Sequence, residues 1–237
     1  MRPDSFFFRN GVLMLRRLFL SAFLIEMLIY ITISALPLSD PALLSLIQSE
    51  QNSVDSLSFI PMLFSIFPHN LLIATLEVIP LIGQFFFVYS SVETSVVIAV
   101  EGTSIHTSGI FVFITLALLP HTWLELPSYA VAAGSSIYLI YLIARRRALL
   151  RAKIMKVLYM YLFVILELLV AGIFESAEIV MEQTLPAPDN ILYPFLLWIP
   201  AIPVLYLLIR LFRKINRDEY VKNEDAGTGE TGFSFEV

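Results

Sequence analysis

The distribution of the basic residues constrains the fold of this chain more than any other feature. All 15 lysine and arginine residues lie in three short clusters, at positions 2–17, 145–156 and 210–222, and the stretches between the clusters contain none. Loops that retain lysine and arginine stay on the cytoplasmic side of a membrane. The pattern therefore predicts a polytopic protein of the cell membrane, with all three clusters in the cytoplasm and an even number of crossings between one cluster and the next.

The composition supports this class and excludes others. The chain is 58% hydrophobic and has a mean hydropathy of +0.81, which is more apolar surface than a soluble domain can bury. No basic groove is available for nucleic acid, and we expect the clusters to contact anionic membrane lipids instead. Cysteine is absent, which excludes disulfides and thiolate chemistry, and no cofactor is expected.

Six stretches are long and apolar enough to cross a bilayer, which takes about 20 residues. We predict an all-α membrane protein with one transmembrane domain over residues 1–215 and both termini in the cytoplasm. The Gly- and Glu-rich residues 216–237 cannot form a core and are predicted to be a disordered tail. The predicted spans are residues 12–36, 59–80, 84–100, 110–144, 154–181 and 191–212.

The fourth stretch has an unusual length. Its 35 residues, 110–144, are too many for one straight crossing and too few for two crossings with a loop. Pro120 and Pro127 interrupt it. We therefore predict a half-helix that ends near Leu119, a break, and a full helix that returns to Arg145, so that a Pro-broken or re-entrant segment lies near residues 110–127. Such irregular backbone survives in a membrane only where protein or water covers it.

Glutamates inside the apolar stretches are the main candidates for function. None has a lysine or arginine near it in the sequence, and an ionised carboxylate in mid-membrane costs on the order of 3 kcal/mol. We expect these groups to be protonated, hydrogen-bonded to one another or close to water. For Glu26, Glu167 and Glu178, a role as packing contacts between helices is favoured. The six residues are Glu26, Glu77, Glu125, Glu167, Glu175 and Glu178.

A second candidate is the motif around the two prolines. Pro120 suits the first turn of a helix, and His121 and Glu125, four residues apart, then share one face. The carboxylate could orient the imidazole, or both could ligate a metal. The metal stays unknown, because two ligands do not make a site, and the weak candidates are His69, His121 and Glu125. We predict that a polar core cluster faces the bundle interior, formed by Asn70, Glu77, His121, Glu125 and Glu175.

These residues resemble the stage II sporulation protein M family of integral membrane proteins. The resemblance covers roughly residues 60–185 and rests on Asn70 before an apolar helix, on Leu119-Pro120-His121 with Glu125-Leu126-Pro127, on Ala132-Ala133-Gly134, and on residues 170–175. Thr122 replaces the family's Gly, Ser128 its Ala, and His69 the first of two Asn residues, which marks a distant member. The resemblance implies a multispanning protein that, in spore-forming bacteria, works with peptidoglycan-remodelling partners during engulfment.

Three functions remain open at this stage. The first is a scaffold or assembly subunit that acts with protein partners or as a homo-oligomer, as the resemblance implies. The second is a transporter or channel that uses the intramembrane Glu and His residues. The third and least favoured is an intramembrane hydrolase, since His121 and Glu125 lack a third catalytic group and the sequence contains no His-Glu-x-x-His. No catalytic residue is assigned, and an enzyme is disfavoured.

Overall fold

Helices make up nearly all of the structure, a computed structural model that describes residues 5–9 and 12–220. Within this part of the chain, six helical segments are long and apolar enough to cross a membrane, which confirms the predicted fold class. The helices are α1 (Leu15–Ser34), α2 (Pro41–Asp55), α3 (Phe59–Val78), α4 (Ile82–Ser104), α5 (Gly109–Ala117), α6 (Thr122–Arg145), α7 (Arg147–Thr184), α8 (Asp189–Leu192), α9 (Trp198–Ile215) and α10 (Arg217–Tyr220), with a 3-10 helix, Tyr193–Leu197, between α8 and α9.

Two short elements differ from the sequence expectation. The first span was predicted to start at Val12, but Phe8–Arg9 (β1) and Val12–Leu13 (β2) form a small antiparallel hairpin before α1. The predicted loop between the first two spans contains α2. Asp40 starts that helix because its Oδ1 accepts hydrogen bonds from the N–H groups of Ala42 and Leu43, both at 3.0 Å.

The broken fourth span is present as predicted, in the form of α5, a turn and α6. A broken helix leaves carbonyls without partners, and three side chains satisfy those at the end of α5. Thr122 Oγ1 donates to Leu116 O at 2.8 Å, and Trp123 Nε1 donates to Ala117 O at 2.8 Å. Trp198 Nε1, from α9, donates to Leu118 O at 2.7 Å. The turn is thus stabilised by side chains, which allows it to lie within the bundle.

The centre of the bundle is α6, which packs against α1, α3 and α7. Residues 130–136 are all buried, and most of them are Ala, Gly or Ser, which lets neighbouring backbones approach closely. A Cβ atom at Gly134 would lie 3.1 Å from the backbone nitrogen of Phe19 in α1. The small side chains of α6 therefore allow its neighbouring helices to pack closely around it.

The connection between α3 and α4 is a tight turn, and α4 begins two residues earlier and ends four residues later than the expected 84–100. Leu81 has φ 70°, in the left-handed region that side chains other than Gly rarely adopt. Position 83 requires a glycine, because a Cβ atom there would lie 1.9 Å from the carbonyl oxygen of Glu77.

The three basic clusters meet at one end of the bundle, called here the basic end. Contacts between α10, the start of α1 and the start of α7 bring them together. The helix α7 has 38 residues and is about 57 Å long, so it extends well beyond the roughly 30 Å of a hydrocarbon core. The opposite end, with α2 and the last turns of α7, carries no lysine or arginine among the described residues and is called the acidic end.

The tail was predicted to be disordered from Asn216 onwards, and for its first residues this is wrong. Residues 217–220 form α10, and Glu219 is buried. Its carboxylate accepts from the backbone N–H groups of Leu15 at 2.8 Å and Arg16 at 3.0 Å, so it caps α1 from 203 or more positions away in the chain. A polar composition does not reveal such a long-range cap. The rest of the predicted tail lies outside the described residues.

Candidate functional site

The only histidine among the predicted cluster residues is paired with a glutamate of another helix. His121 precedes α6, and its Nδ1 atom is hydrogen-bonded to Oε2 of Glu178 in α7. The expected partner was Glu125, one turn along α6. Instead, Glu125 accepts a hydrogen bond from the Tyr129 hydroxyl at 2.9 Å. Helical spacing places residues 121 and 125 on one face, but the packing of α7 against α6 presents the carboxylate that reaches the imidazole.

The paired His121 and Glu178 face a cavity of about 560 Å³ at the acidic end, called here the acidic cavity. Segments of α2, α3, α5, the turn between α5 and α6, and α7 surround it. Its polar lining consists of five carboxyl groups, one imidazole and two amides, and its apolar lining consists of Val54, Ile66, Leu116, Leu119 and Ile179. The polar residues are Glu50, Gln51, Asp55, His121, Glu175, Glu178, Glu182 and Gln183.

Three more carboxyl groups lie deeper in the bundle and form what we call the carboxyl trio, Glu26, Glu77 and Glu125. Glu26 lies within electrostatic range of the other two. Ser90 Oγ donates to Glu77 Oε1 at 2.9 Å, whereas Oε2 of Glu77 and Oε2 of Glu26 have no partner among the described residues. The trio connects α1, α3 and α6. In lipid, each of these carboxyl groups would lack a polar partner, which favours their contact inside the bundle.

The predicted polar cluster is distributed over these two groups. Glu175 lies beside His121 at the acidic cavity, and Glu77 belongs to the trio. Glu125, also a member of the trio, links the two groups, since it interacts electrostatically with both His121 and Glu26. Asn70 is buried in α3, while Glu125 and Glu175 are half-buried. The interior placement was expected because lipid offers these groups no partner.

The weak metal candidates do not form a centre. His69 is exposed on α3, and the described residues contain no group of three or more His, Asp or Glu side chains arranged to hold a metal ion. His121 has its Nδ1 atom engaged by Glu178. The arrangement around His121 is therefore a hydrogen-bonded pair of an imidazole and a carboxyl group at the wall of an acidic cavity.

A second depression runs along the membrane-facing side of the bundle between α1, α6, α7 and α9. This apolar groove has a volume of about 550 Å³ and is rich in aromatic side chains. It also contains Glu167, which is 5% exposed and whose Oε2 has no hydrogen-bond partner among the described residues. The remaining lining residues are Phe19, Phe23, Trp123, Pro127, Val131, Phe163, Trp198, Leu205, Leu208, Ile209, Phe212 and Arg213.

At the basic end, ion pairs connect α7 to α10. Lys156 Nζ lies 2.9 Å from Asp218 Oδ1 and also contacts Glu219, and Lys153 contacts Asp218. Partial burial raises the pKa of Asp218, but the hydrogen bonds and charges of Lys153 and Lys156 outweigh it and leave that pKa below its ordinary value of 3.8. This network, called here the basic-end latch, holds α10 against the starts of α1 and α7.

The sequence did not reveal the contacts of three of these residues. Glu167 and Glu178 were assigned to helix packing, and Glu219 was placed in a disordered tail. An acidic residue within an apolar helix is visible in the sequence, but its partner is not, because the partner comes from another helix. For Glu219 alone of these three, the neighbouring sequence indicates an ion pair, since this acidic residue lies beside basic residues that need counter-charges.

Comparison with curated proteins and with solved structures gives no match. A sequence model of a family described as stage II sporulation protein M matches residues 13–177. This region covers more than half of the chain, from β2 through most of α7, and it includes the broken span, His121, Glu175 and the carboxyl trio. The resemblance in the motif around Pro120 therefore extends over most of the transmembrane bundle, and the chain belongs to the stage II sporulation protein M family.

Proposed function

We propose that the protein is a membrane assembly subunit and that its apolar groove receives a transmembrane helix of a partner protein. The observation that carries this proposal is Glu167, a buried carboxyl group whose Oε2 atom has no hydrogen-bond partner among the described residues, at the wall of a groove that is apolar apart from Arg213 near one end. Lipid chains cannot supply a donor, and an unsatisfied polar group in hydrocarbon costs several kcal/mol.

A partner helix can supply the hydrogen-bond donor that Glu167 lacks. Helices associate in bilayers through close packing and interhelical hydrogen bonds, with Ser, Thr, Asn or Gln as frequent donors. The groove runs along the bundle from Trp198 at the start of α9 to Arg213 near its end. A partner helix with a hydroxyl or amide near its middle could therefore pack on the aromatic lining and donate to Glu167.

The proposal includes an orientation in the cell membrane. The basic end, and with it both termini, faces the cytoplasm, whereas α2 and the acidic cavity face the outside. The placement of all three basic clusters at one end of the bundle supports this orientation. Partner recognition would then occur within the bilayer. This agrees with the assembly role that the family resemblance implies.

The groove can be tested by site-specific photocrosslinking in native membranes. A photoreactive residue at Ile209, which is exposed and lines the groove, should crosslink to one discrete partner. The matched control is Leu207, equally exposed on α9 but outside the groove lining. Glu167→Leu should abolish the crosslink at position 209, and Glu167→Gln should retain it, because an amide can still form the hydrogen bond.

Two results would contradict the proposal. One is a crosslink from position 209 that does not change in Glu167→Leu, and the other is equal crosslinking from positions 207 and 209. A product at twice the mass of the chain would instead identify the partner as a second copy, and the predicted partner protein would be wrong.

A second function, movement of protons or cations through the bundle, is favoured by one specific observation. Glu125 interacts electrostatically with both the acidic cavity and the carboxyl trio, so acidic groups follow one another from the acidic end into the interior. Liposomes that contain the protein should then show a pH-driven proton flux. Glu125→Gln should reduce the flux, and Glu93→Gln, which changes an exposed carboxyl on α4, should not. Equal flux from both variants would exclude this path.

A further inference from the structure

We propose that the acidic cavity binds a linear organic cation that carries primary ammonium groups, a ligand of the polyamine class. This proposal is independent of the partner groove, because the two depressions are formed by different residues. The cavity lies at the acidic end, and its five carboxyl groups come from two elements, with Glu50 and Asp55 on α2 and the others on α7.

Buried oxygen atoms without partners indicate a missing donor. Glu178 is 1% exposed, and while its Oε2 atom is bonded to His121, its Oε1 atom has no hydrogen-bond partner among the described residues. Oε2 of Glu175 is buried and also has none. A buried acceptor left unsatisfied costs about 1–3 kcal/mol, and more when it is charged. A ligand that donates N–H groups would remove this cost at both positions.

Within the described part of the chain, no lysine or arginine lines the cavity to balance its carboxyl groups. Glu182 interacts electrostatically with Glu178 and with Asp55, so carboxyl groups of α2 and α7 lie within electrostatic range of one another. The sequence has no lysine or arginine between residues 18 and 144 or between residues 157 and 209, which include every residue of the lining. The single imidazole of His121 already contacts Glu178. A cation from outside the chain would balance the remaining carboxylates.

The shape and chemistry of the lining favour an organic amine over a metal ion. No three His, Asp or Glu side chains in the described residues converge closely enough to ligate a metal. The carboxyl groups instead line a cavity of about 560 Å³, which the side chains of Val54, Ile66 and Ile179 also line. Methylene segments of a linear polyamine would contact these apolar side chains, and its ammonium groups would reach the separated carboxylates.

The test uses the purified full-length protein in detergent and isothermal titration with spermidine. We expect saturable binding that tetramethylammonium does not displace, because that cation has charge but no N–H donor. Magnesium at the same ionic strength should also fail to displace spermidine. Displacement by tetramethylammonium would show that the cavity selects charge alone, and displacement by magnesium would indicate a metal site. Either result, or the absence of saturable binding, would overturn the proposal.

Two variants and a control locate the site. Glu175→Gln should weaken spermidine binding on the order of ten-fold, since a charge-assisted hydrogen bond is lost. Glu182→Gln should weaken it less and is safe for folding, because Glu182 is exposed at the cavity. Asp189→Asn, an acidic residue of the same end that is not in the lining, should leave binding unchanged. Equal affinity in all three variants, each with an unchanged thermal midpoint, would refute the site.

An ammonium group could also come from a lipid headgroup, and a second arm of the titration separates the two sources. In nanodiscs, phosphatidylethanolamine carries a primary ammonium, whereas phosphatidylcholine does not. Weaker spermidine binding in phosphatidylethanolamine would identify the headgroup as a competing occupant with the proposed chemistry. Equal binding in both lipids would assign the cavity to a soluble amine.

Discussion

Individual carboxyl groups in this protein differ in function because their neighbours differ. Glu178 contacts an imidazole, Glu125 accepts from a tyrosine hydroxyl, and Glu77 accepts from a serine. Glu167 lines the apolar groove, and its Oε2 atom has no hydrogen-bond partner in the part of the chain that the structure describes. All four are glutamates within apolar helices, and sequence alone does not distinguish them. The distinction arises from which helix packs against each one.

The pairing of His121 with Glu178 predicts a loss of stability when the carboxylate is removed. Glu178→Leu leaves the buried imidazole without its partner, and we expect the free energy of unfolding to fall by about 2 kcal/mol. Thermal unfolding in detergent measures this loss as a lower midpoint. Glu178→Gln should lose less because the amide can still bond to Nδ1, and Glu182→Gln serves as an exposed control. An unchanged midpoint in Glu178→Leu would show that the pair does not stabilise the fold.

At the scale of single elements, the break between α5 and α6 shows how irregular backbone can lie within a membrane protein. The carbonyls of Leu116, Ala117 and Leu118 accept from one hydroxyl and two indole groups. Two of these donors belong to the start of α6 and the third to α9. The break is therefore stabilised partly by a helix that is distant in sequence.

Removal of the indole from α9 tests this account of the break. Trp198→Phe keeps most of the apolar contact but leaves Leu118 O without a donor, at a cost of about 1–2 kcal/mol. We expect faster hydrogen–deuterium exchange in residues 115–124 than in the parent protein. Tyr206→Phe, a change on an exposed position of the same helix, should leave exchange in this segment as it was. Identical exchange in both variants would mean that Trp198 does not hold the break.

The basic-end latch has a pH dependence with a defined sign. The pKa of Asp218 in the folded protein lies below its ordinary value of 3.8 because Lys153 and Lys156 bond to the carboxylate. Its contribution to stability is therefore complete above that ordinary value and is lost as the pH falls through the lower folded pKa. At about pH 3, the thermal midpoint should drop more in the parent protein than in Asp218→Asn. An equal drop in both would exclude the latch as its cause.

At the scale of the whole molecule, the two ends of the helical bundle differ in charge. Among the described residues, lysine and arginine lie at one end, and a cavity lined by carboxyl groups and by no lysine or arginine lies at the other. The long helix α7 connects the two, with Lys156 in the latch and Glu178 at the cavity. The same helix thus contributes to both candidate binding features and to the contact that holds α10.

The proposed orientation can be measured directly, since the chain has no cysteine of its own. Ala148→Cys and Gln183→Cys introduce single exposed thiols near opposite ends of α7. In intact cells, a membrane-impermeant maleimide should label position 183, and it should label position 148 only after permeabilisation. The reverse pattern would invert the topology, and labelling of both positions in intact cells would show that α7 does not cross the membrane.

Sequence by itself determined the membrane class, the number of spans, the break near Pro120 and the sharing of one end by the basic clusters. These properties depend on local composition and on the cost of moving charge through lipid, which each segment carries independently of its neighbours. The tertiary structure alone decided that Glu178 rather than Glu125 bonds to His121, that Glu219 caps α1, and that Glu167 opens onto a groove. Each of these depends on which helices pack together, and burial and hydrogen bonding between distant segments are not encoded in local periodicity.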